Sequence, residues 1–343
     1  MLASDGLSRI DSHLPHVSER PSPFLLLRLL ADGKFRSGEG LCRELGCSRA
    51  ELRARLQAMD ALGMRVIAVR GRGIRLAEPV DLIRKDALAG LPFHVELLDE
   101  CESTNTVLVE RARNARDAEA LHASAIVCER QNAGRGRRGA QWHSAIGASL
   151  TFSVLWRFRC GASGLSGLSL AAGVAVVRAL GRFGAAGIRV KWPNDILLDR
   201  SGETAKLGGI LIELAGDASG PCVAVIGIGL NLNLSPRARD AIGVPAADTA
   251  QAGIRASRSV LLAALLGELG AVLEQFSREG FAAFRDEWMH HHAYQGRRVA
   301  LRLANQAIAE GEALGVAADG ALEMRVAGDV RQFHSGELSL RPA

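Results

Sequence analysis

The sequence predicts an α+β multidomain chain. It comprises an N-terminal winged helix-turn-helix, a central mixed-sheet α/β domain and an all-β C-terminal segment. Three observations carry this. A capped helix with one apolar stripe sits between a tight turn and a basic hairpin within Ser37–Leu76. Strand-like and helix-like runs then interleave without a strict strand–helix–strand rhythm, as in a mixed sheet with helices packed on it. From Arg298 to Leu340 the pattern is β alone, with Ala318-Asp319-Gly320 as a hairpin signal between Gly315-Val316 and Leu322-Glu323-Met324. The expected organisation is a flexible tail over 1–21, the winged module over 22–80, the central domain over 81–290 and the C-terminal domain over 291–343.

The winged module is justified element by element. Pro23–Leu30 reads as a short apolar helix. Ser37 is placed to cap a second helix carrying Leu41, Cys42 and Leu45, and Gly46-Cys47 forms a tight turn. Ser48-Arg49-Ala50-Glu51 is a capping box, with a hydroxyl and a carboxylate satisfying free backbone N–H groups reciprocally. It opens a third helix whose Leu52, Leu56, Met59 and Leu62 face inward, and Gly63 ends it. The strand Val66–Val69, the turn Arg70-Gly71-Arg72-Gly73 and Ile74-Arg75-Leu76 complete the plan. Arg49, Arg53 and Gln57 recur at i, i+4 and i+8 on a stripe of their own. They are expected to face a DNA major groove, with Arg70 and Arg72 near phosphates. The alternative is a small accessory domain with a solvated basic face.

The central domain comes after a connecting segment, Glu78–Leu91. Phe93–Leu97, Ser124–Cys128, Leu150–Trp156, Ile188–Trp192, Gly208–Leu214 and Val223–Leu234 read as strands. Val107–Arg113, the alanine-rich Leu168–Phe183, and Ser259–Phe276 continued by Phe281–Trp288, read as helices. Ser103-Thr104-Asn105 opens the first of these, and a helix start offers N–H groups and hydroxyls to a polar ligand. A plain N-cap is the commoner fate of such a triplet. In Val223–Leu234, Ile226, Ile228, Leu230 and Leu232 take one face; Gly227, Gly229, Asn231 and Asn233 take the other. A face of glycine and asparagine invites a ligand close to backbone. His290-His291-His292 cannot all face one metal on a regular element and reads as a solvated turn.

The central loop is Gly134-Arg135-Gly136-Arg137-Arg138-Gly139, introduced by Glu129–Ala133 and followed by Trp142. Three guanidiniums, each a planar fork of donors, sit among three glycines that permit close backbone approach. The literal G-x-G-x-x-G pattern requires a helix opening there and an acid about twenty residues on. Gln141–Ser144 has no helical period, and Arg159-Cys160 stands where the acid belongs, which argues against a dinucleotide site.

Composition narrows the class. The 343 residues are 48% apolar and 23% charged, with a formal net charge of +5, so the chain is an ordinary globular one whose basic character is local. Six scattered cysteines without a C-x-x-C pair argue against a zinc site or disulfide framework and fit reduced thiols in a cytosol. No apolar run is expected to reach the roughly 18 residues of a membrane span. Met1–Pro21 has no apolar segment of the kind a secretory signal carries.

Five blocks in order resemble the biotin–protein ligase family. They are Ser103-Thr104-Asn105, the arginine–glycine loop, Lys191-Trp192-Pro193-Asn194-Asp195, Lys206–Glu213 and Gly227–Asn233. The resemblance runs from about Pro23 to the C-terminus. It implies an SH3-like C-terminal barrel and, given the N-terminal module, similarity to the bifunctional ligase–repressors. The implied chemistry has two halves. Biotin's carboxylate attacks the α-phosphate of ATP, and a lysine of biotin carboxyl carrier protein then takes the acyl group and releases AMP. Lys191 and Arg137 are implied as catalytic. Ser103, Thr104, Asn105 and Gln131 are implied at the biotin ring, with Gly134, Arg135, Gly136, Arg137, Trp142, Lys191 and Gly209 completing the biotin site. Arg137, Arg138, Asn194, Lys206 and Asn231 are implied at the nucleotide. Mg²⁺ is expected to travel with ATP rather than in a protein cage. Further implied are operator DNA, a ligand-promoted homodimer, a cytoplasmic location and no membrane partner.

Two departures stand out. The stretch Leu198–Ala205 is longer than the family's tight hairpin, and Ser235–Asp248 has no aromatic to cap adenine. Two alternatives remain: a lipoate–protein ligase, whose loop resembles R-R-x-S-G-G-G, and a DNA-binding sensor with a decayed ligase.

Overall fold

The computed structural model describes residues 22–115, 119–215, 220–303, 306–334 and 338–342. The tail over 1–21 lies outside them. The chain divides between Val80 and Asp81 into two compact units.

The first unit holds helices α1 (Phe24–Leu30), α2 (Gly38–Leu45) and α3 (Arg49–Ala61) and the antiparallel pair β1 (Val66–Val69) and β2 (Gly73–Leu76). Ser37 caps α2 through Gly40 N–H, and left-handed Gly46 closes it. Ser48 and Glu51 form both bonds of the capping box on α3. Leu26, Leu27, Leu30, Leu41, Leu52, Met59 and Leu76 are buried. Gly73 is required where it stands: φ is +106°, and a Cβ there would lie 2.2 Å from the Arg36 carbonyl oxygen.

The second unit is built on a seven-stranded sheet. Its strands are β3 (His94–Cys101), β4 (Ser124–Gln131), β5 (Ser149–Phe158), β6 (Ile188–Lys191), β7 (Asp195–Arg200), β8 (Glu203–Ala215) and β9 (Cys222–Asn231), in the order β3-β4-β5-β9-β8-β7-β6. The β3–β4 pair is parallel and the others are antiparallel. Pleating sends successive side chains to opposite faces. Phe152, Val154, Ile226, Ile228 and Ile210 join the main core under α5 (Leu168–Gly181) and α7 (Arg258–Glu279). Leu155 and Val225 turn instead to α4 (Thr104–Asn114). Gly227 and Gly229 therefore lie on the α4 face. A short helix α6 (Pro236–Ala241) comes after β9, and α8 (Arg285–His291) after α7. Strands β10 (Arg298–Leu303), β11 (Gln306–Val316), β12 (Leu322–Val326), β13 (Asp329–Phe333) and β14 (Leu338–Pro342) form an antiparallel sheet in the order β13-β12-β11-β10-β14. Its Val299, Leu301, Val316 and Leu340 share the main core, and Trp192 Nε1 donates to the Gly320 carbonyl at 3.1 Å.

Four expectations are corrected. Asp195–Arg200 is a strand: the extra residues before Lys206 lengthen its hairpin with the next strand, which shifts register after Ile196 and is turned by Ser201 (φ 56°) and Gly202 (φ 91°), both left-handed as a type I′ turn requires. Gly280, at φ 66°, ends α7 and separates it from the 3₁₀ turn at Phe281–Phe284, so Phe281–Trp288 is not its continuation. Ala162–Gly181 and Arg258–Glu279 are long and apolar enough, by length and composition, to cross a membrane. Both pack in the core, with 67% and 61% of those windows buried. The three histidines are not a solvated turn. His292 is buried and stacked on Trp288 at 4.7 Å, and burial pushes its imidazole down to about 4.

Candidate active site

A cavity of about 170 Å³ opens on the α4 face of the sheet. A second hollow of about 390 Å³ adjoins it. Both are lined by Trp142, Lys191, Asp195, Lys206 and Arg341.

The deep end of the first cavity is polar. Ser103 occupies the N-cap position of α4 but makes no capping bond, so the plain-cap reading does not hold for it. Thr104 N–H donates to Gln131 Oε1 at 2.7 Å, and Thr104 Oγ1 lies 2.6 Å from Ser153 Oγ. Asn105 lines the cavity, yet its polar atoms are engaged by Ser153, Leu211 and Glu213. Gly227 makes room for it: a Cβ there would sit 2.1 Å from Asn105 Oδ1. Gly229 does the same for Trp142, whose ring would lie 2.5 Å from an added Cβ. The Trp142 indole N–H is buried without a partner among the described residues. Buried donors are rarely left so, which marks a place for a ligand acceptor.

The opposite end is cationic. Asp195 bridges two lysines, with Lys191 Nζ 2.5 Å from Oδ2 and Lys206 Nζ 2.8 Å from Oδ1. These two ammoniums hold its carboxyl well below the usual carboxylate range, against its burial. Burial also pushes the Lys191 ammonium below its ordinary value, outweighing the pull of Asp195, with Arg341 and Lys206 adding to the fall. Burial and the neighbouring Arg138 lower Arg137 likewise. Asp195 is the only acid among the lining residues described, so positive charge is in excess, as a site for two anions needs.

The loop residues divide. Arg135, Gly136, Arg137 and Arg138 line the cavity. Arg135 reaches Thr106 at 2.9 Å and Glu213 at 3.3 Å, and Arg137 reaches Asn194 Oδ1 at 3.3 Å. Gly134, expected at the biotin site, does not line the cavity. It is buried where a Cβ would meet the Trp142 carbonyl at 2.6 Å, which makes it a requirement of the loop's path. Gly209 lines the cavity. Asn194 donates to the Ile210 carbonyl at 2.8 Å, tying β7's start to β8. Asn231 lines only the second hollow, and its Nδ2 is spent on the Lys206 and Ala247 carbonyls at 3.3 and 3.0 Å. That hollow's apolar wall is Ile242, Val244, Pro245 and Tyr294.

Five participants carry no role in the sequence reading. Asp195 stands four residues from Lys191, a spacing that could have been noticed. Thr151 and Ser153 are polar residues alternating within an apolar strand, also a readable signal. Glu213 closes the Lys206–Glu213 block. Arg341 gave no signal, since 150 residues separate it from Lys191.

In the first unit, Arg49, Arg53, Gln57, Arg70 and Arg72 are all exposed. The Arg72 guanidinium sits over the Phe35 ring, 4.6 Å from its centroid.

Three segments match known families. Residues 98–231 match the biotin/lipoate A/B protein ligase family, 24–75 a helix-turn-helix domain, and 294–341 the biotin protein ligase C-terminal domain. The chain is 37% identical over 324 residues to the bifunctional ligase/repressor BirA of Salmonella typhimurium, covering 94% of this chain and 98% of that one. It is 36% identical over 323 residues to the protein of the same name from Escherichia coli, with the same coverage. Among solved structures, the biotin protein ligase from Aquifex aeolicus in complex with biotin and ATP is similar with a TM-score of 0.59 at 27% identity, over 73% of this chain and 99% of that one.

Proposed function

The chain belongs to the family of bifunctional biotin ligase–repressors, and from that premise we propose how its residues divide the work. It is an ATP-dependent biotin–protein ligase with a DNA-binding, repressor-type N-terminal module. The observation that carries the mechanism is the meeting of two hollows at Lys191, Asp195, Lys206 and Arg341.

In this reading the biotin ring occupies the polar end of the deep cavity, against Ser103, Thr104 and Gln131. Its carboxylate extends toward Lys191. The nucleotide enters from the second hollow, with adenine on the apolar wall formed by Ile242, Val244 and Tyr294. Bringing a carboxylate against an α-phosphate concentrates negative charge, and Lys191 bridges the two while Arg137 and Arg138 cover the phosphates. Arg341, from the last strand, adds a further cation. The carboxylate attacks phosphorus, pyrophosphate leaves, and the mixed anhydride remains beneath the arginine–glycine loop. That loop and Trp142 keep water out. A carrier-protein lysine then attacks the acyl carbon, and the same cations stabilise departing AMP.

The residues present do not fit a resident metal. Both oxygens of Asp195 are taken by lysines. Mg²⁺ therefore arrives as part of the nucleotide substrate. The carrier protein, operator DNA and a ligand-promoted homodimer are the partners this reading assigns, in a cytosolic setting without a membrane partner. One winged module covers one half-site, so operator binding calls for two chains on a pseudo-palindrome. Ordering of central-domain loops by biotinoyl-AMP lowers the entropy cost of pairing.

The deciding experiment is ATP–pyrophosphate exchange with biotin and, separately, lipoate. Exchange with biotin is expected; exchange with lipoate but not biotin overturns the assignment.

A further inference from the structure

The hydrogen bonds beneath the polar end of the deep cavity have a direction, and a residue outside its lining sets that direction. Asn105 donates both Nδ2 hydrogens to groups that only accept: Glu213 Oε2 at 2.9 Å and the Leu211 carbonyl at 3.3 Å. Turning the amide round would set its oxygen against both acceptors. Its Oδ1 therefore accepts, and Ser153 Oγ donates to it at 2.6 Å. A hydroxyl has a single hydrogen. With that hydrogen spent, Ser153 Oγ can only accept from Thr104 Oγ1, 2.6 Å away. Thr104 then has no hydrogen left, although Gln131 Oε1 lies 3.1 Å from its hydroxyl. Gln131 Oε1 already accepts the Thr104 N–H, and although it has a lone pair left, the contact to Ser153 Oγ is the shorter one for the hydroxyl's hydrogen. Thr104 lines the cavity, and what it shows there is lone pairs.

We infer that Glu213 is a specificity-determining positioning residue: through Asn105 and Ser153 it makes Thr104 an obligate acceptor, so the cavity takes a head group that brings an N–H. A cyclic urea supplies one; a dithiolane ring does not. The same carboxylate holds Arg135 of the covering loop at 3.3 Å, so the residue that polarises the floor also anchors the roof. All members of the relay except Glu213 are buried, which keeps water from substituting for a missing link.

The inference rests on the ligase reading, and the test separates the two. The assay is ATP–pyrophosphate exchange by the full chain, read as KM for biotin, KM for ATP and kcat. A wild type without biotin-dependent exchange overturns the ligase reading and this inference with it. Failure of the inference alone shows only in the variants. Ser153→Ala and Glu213→Leu break the relay at different atoms. Each is expected to raise KM for biotin by roughly 10-fold, the size of one neutral hydrogen bond, with kcat and KM for ATP held within about twofold. Glu213→Gln still offers Asn105 an acceptor and should remain within about threefold of wild type, because the hydrogen bond survives without the charge. If Glu213→Gln behaves like Glu213→Leu, charge toward Arg135 is what matters and the polarity argument is wrong. Unchanged biotin KM in Ser153→Ala also overturns it.

Discussion

Replacing Lys191 with methionine keeps the length of the side chain and removes its charge. Lys191 is 5% exposed, and its ammonium lies 2.5 Å from Asp195. Removing one partner of a buried ion pair ordinarily costs about 3–5 kcal/mol, because the other charge is left uncompensated. Two features reduce that here. Asp195 keeps Lys206 at 2.8 Å. The short contact suggests a strongly stabilising pair, but the depressed Lys191 value says that burial outweighs the attraction, and the net protonation balance is the better guide to stability. Losing the cation therefore also relieves desolvation, and we expect a stability change of no more than about 1–2 kcal/mol. The catalytic loss should be far larger, on the order of 10²–10³ in adenylation, as for one transition-state charge contact.

The pH dependence supplies a second readout. Asp195 titrates below its unfolded value, so its stabilisation is present above the ordinary carboxylate pKa and lost as pH falls through the folded one. Without Lys191 the folded value rises, and the Lys191→Met variant should gain less stability between acid and neutral pH. Lys191 itself also titrates below its unfolded value. The wild type should therefore gain stability as pH rises through the alkaline range, a gain the variant lacks. Pyrophosphate exchange at saturating biotin and thermal melts from pH 3 to about 10 measure both. Near-wild-type exchange, or a loss of exchange matched by unfolding, would refute the reasoning.

Three further predictions concern other parts of the molecule. Arg137→Gly removes a charge-assisted contact worth about 1.5–3 kcal/mol and should let the acyl-adenylate escape, read as biotin label on albumin above the wild-type level. Gly229→Ala places a methyl 2.5 Å from the Trp142 ring. It should displace the indole and raise biotin KM by roughly 10-fold or more at a stability cost of about 1–3 kcal/mol, checked by exchange kinetics below the melting transition and by thermal melts. Arg49→Ala and Arg53→Ala should weaken binding to DNA from the chain's own upstream region by about 1–3 kcal/mol per lost base contact, leaving exchange intact, as a titration with biotin and ATP would show.

The elements that are contiguous in the chain were legible without the fold. Ser48 and Glu51 announce the start of α3, because a capping box is closed within one turn. The alternation of Ile226, Gly227, Ile228 and Gly229 announces which face meets apolar core and which lines a cavity, because a strand's pleat has a period of two. Ser103–Asn105, the arginine–glycine loop and Lys191–Asp195 were legible as blocks through their resemblance to a family, and each is contiguous in the chain. Their assembly was not legible. Thr104 meets Ser153 across 49 residues, and Asn105 meets Glu213 across 108. Such pairings depend on strand order and register, which side-chain periodicity does not encode. His292 was misread because a run of histidines looks solvated until Trp288 covers it. Leu198–Ala205 was legible only as longer than the family's tight hairpin; that its residues extend two paired strands about a left-handed turn came from the fold. Arg341 is the plainest case. The β pattern read from the sequence stops at Leu340, one residue short of it; only the strand Leu338–Pro342, and the packing of that strand's sheet onto the shared core, brought it to Lys191, since long-range burial decides which distant charges become neighbours.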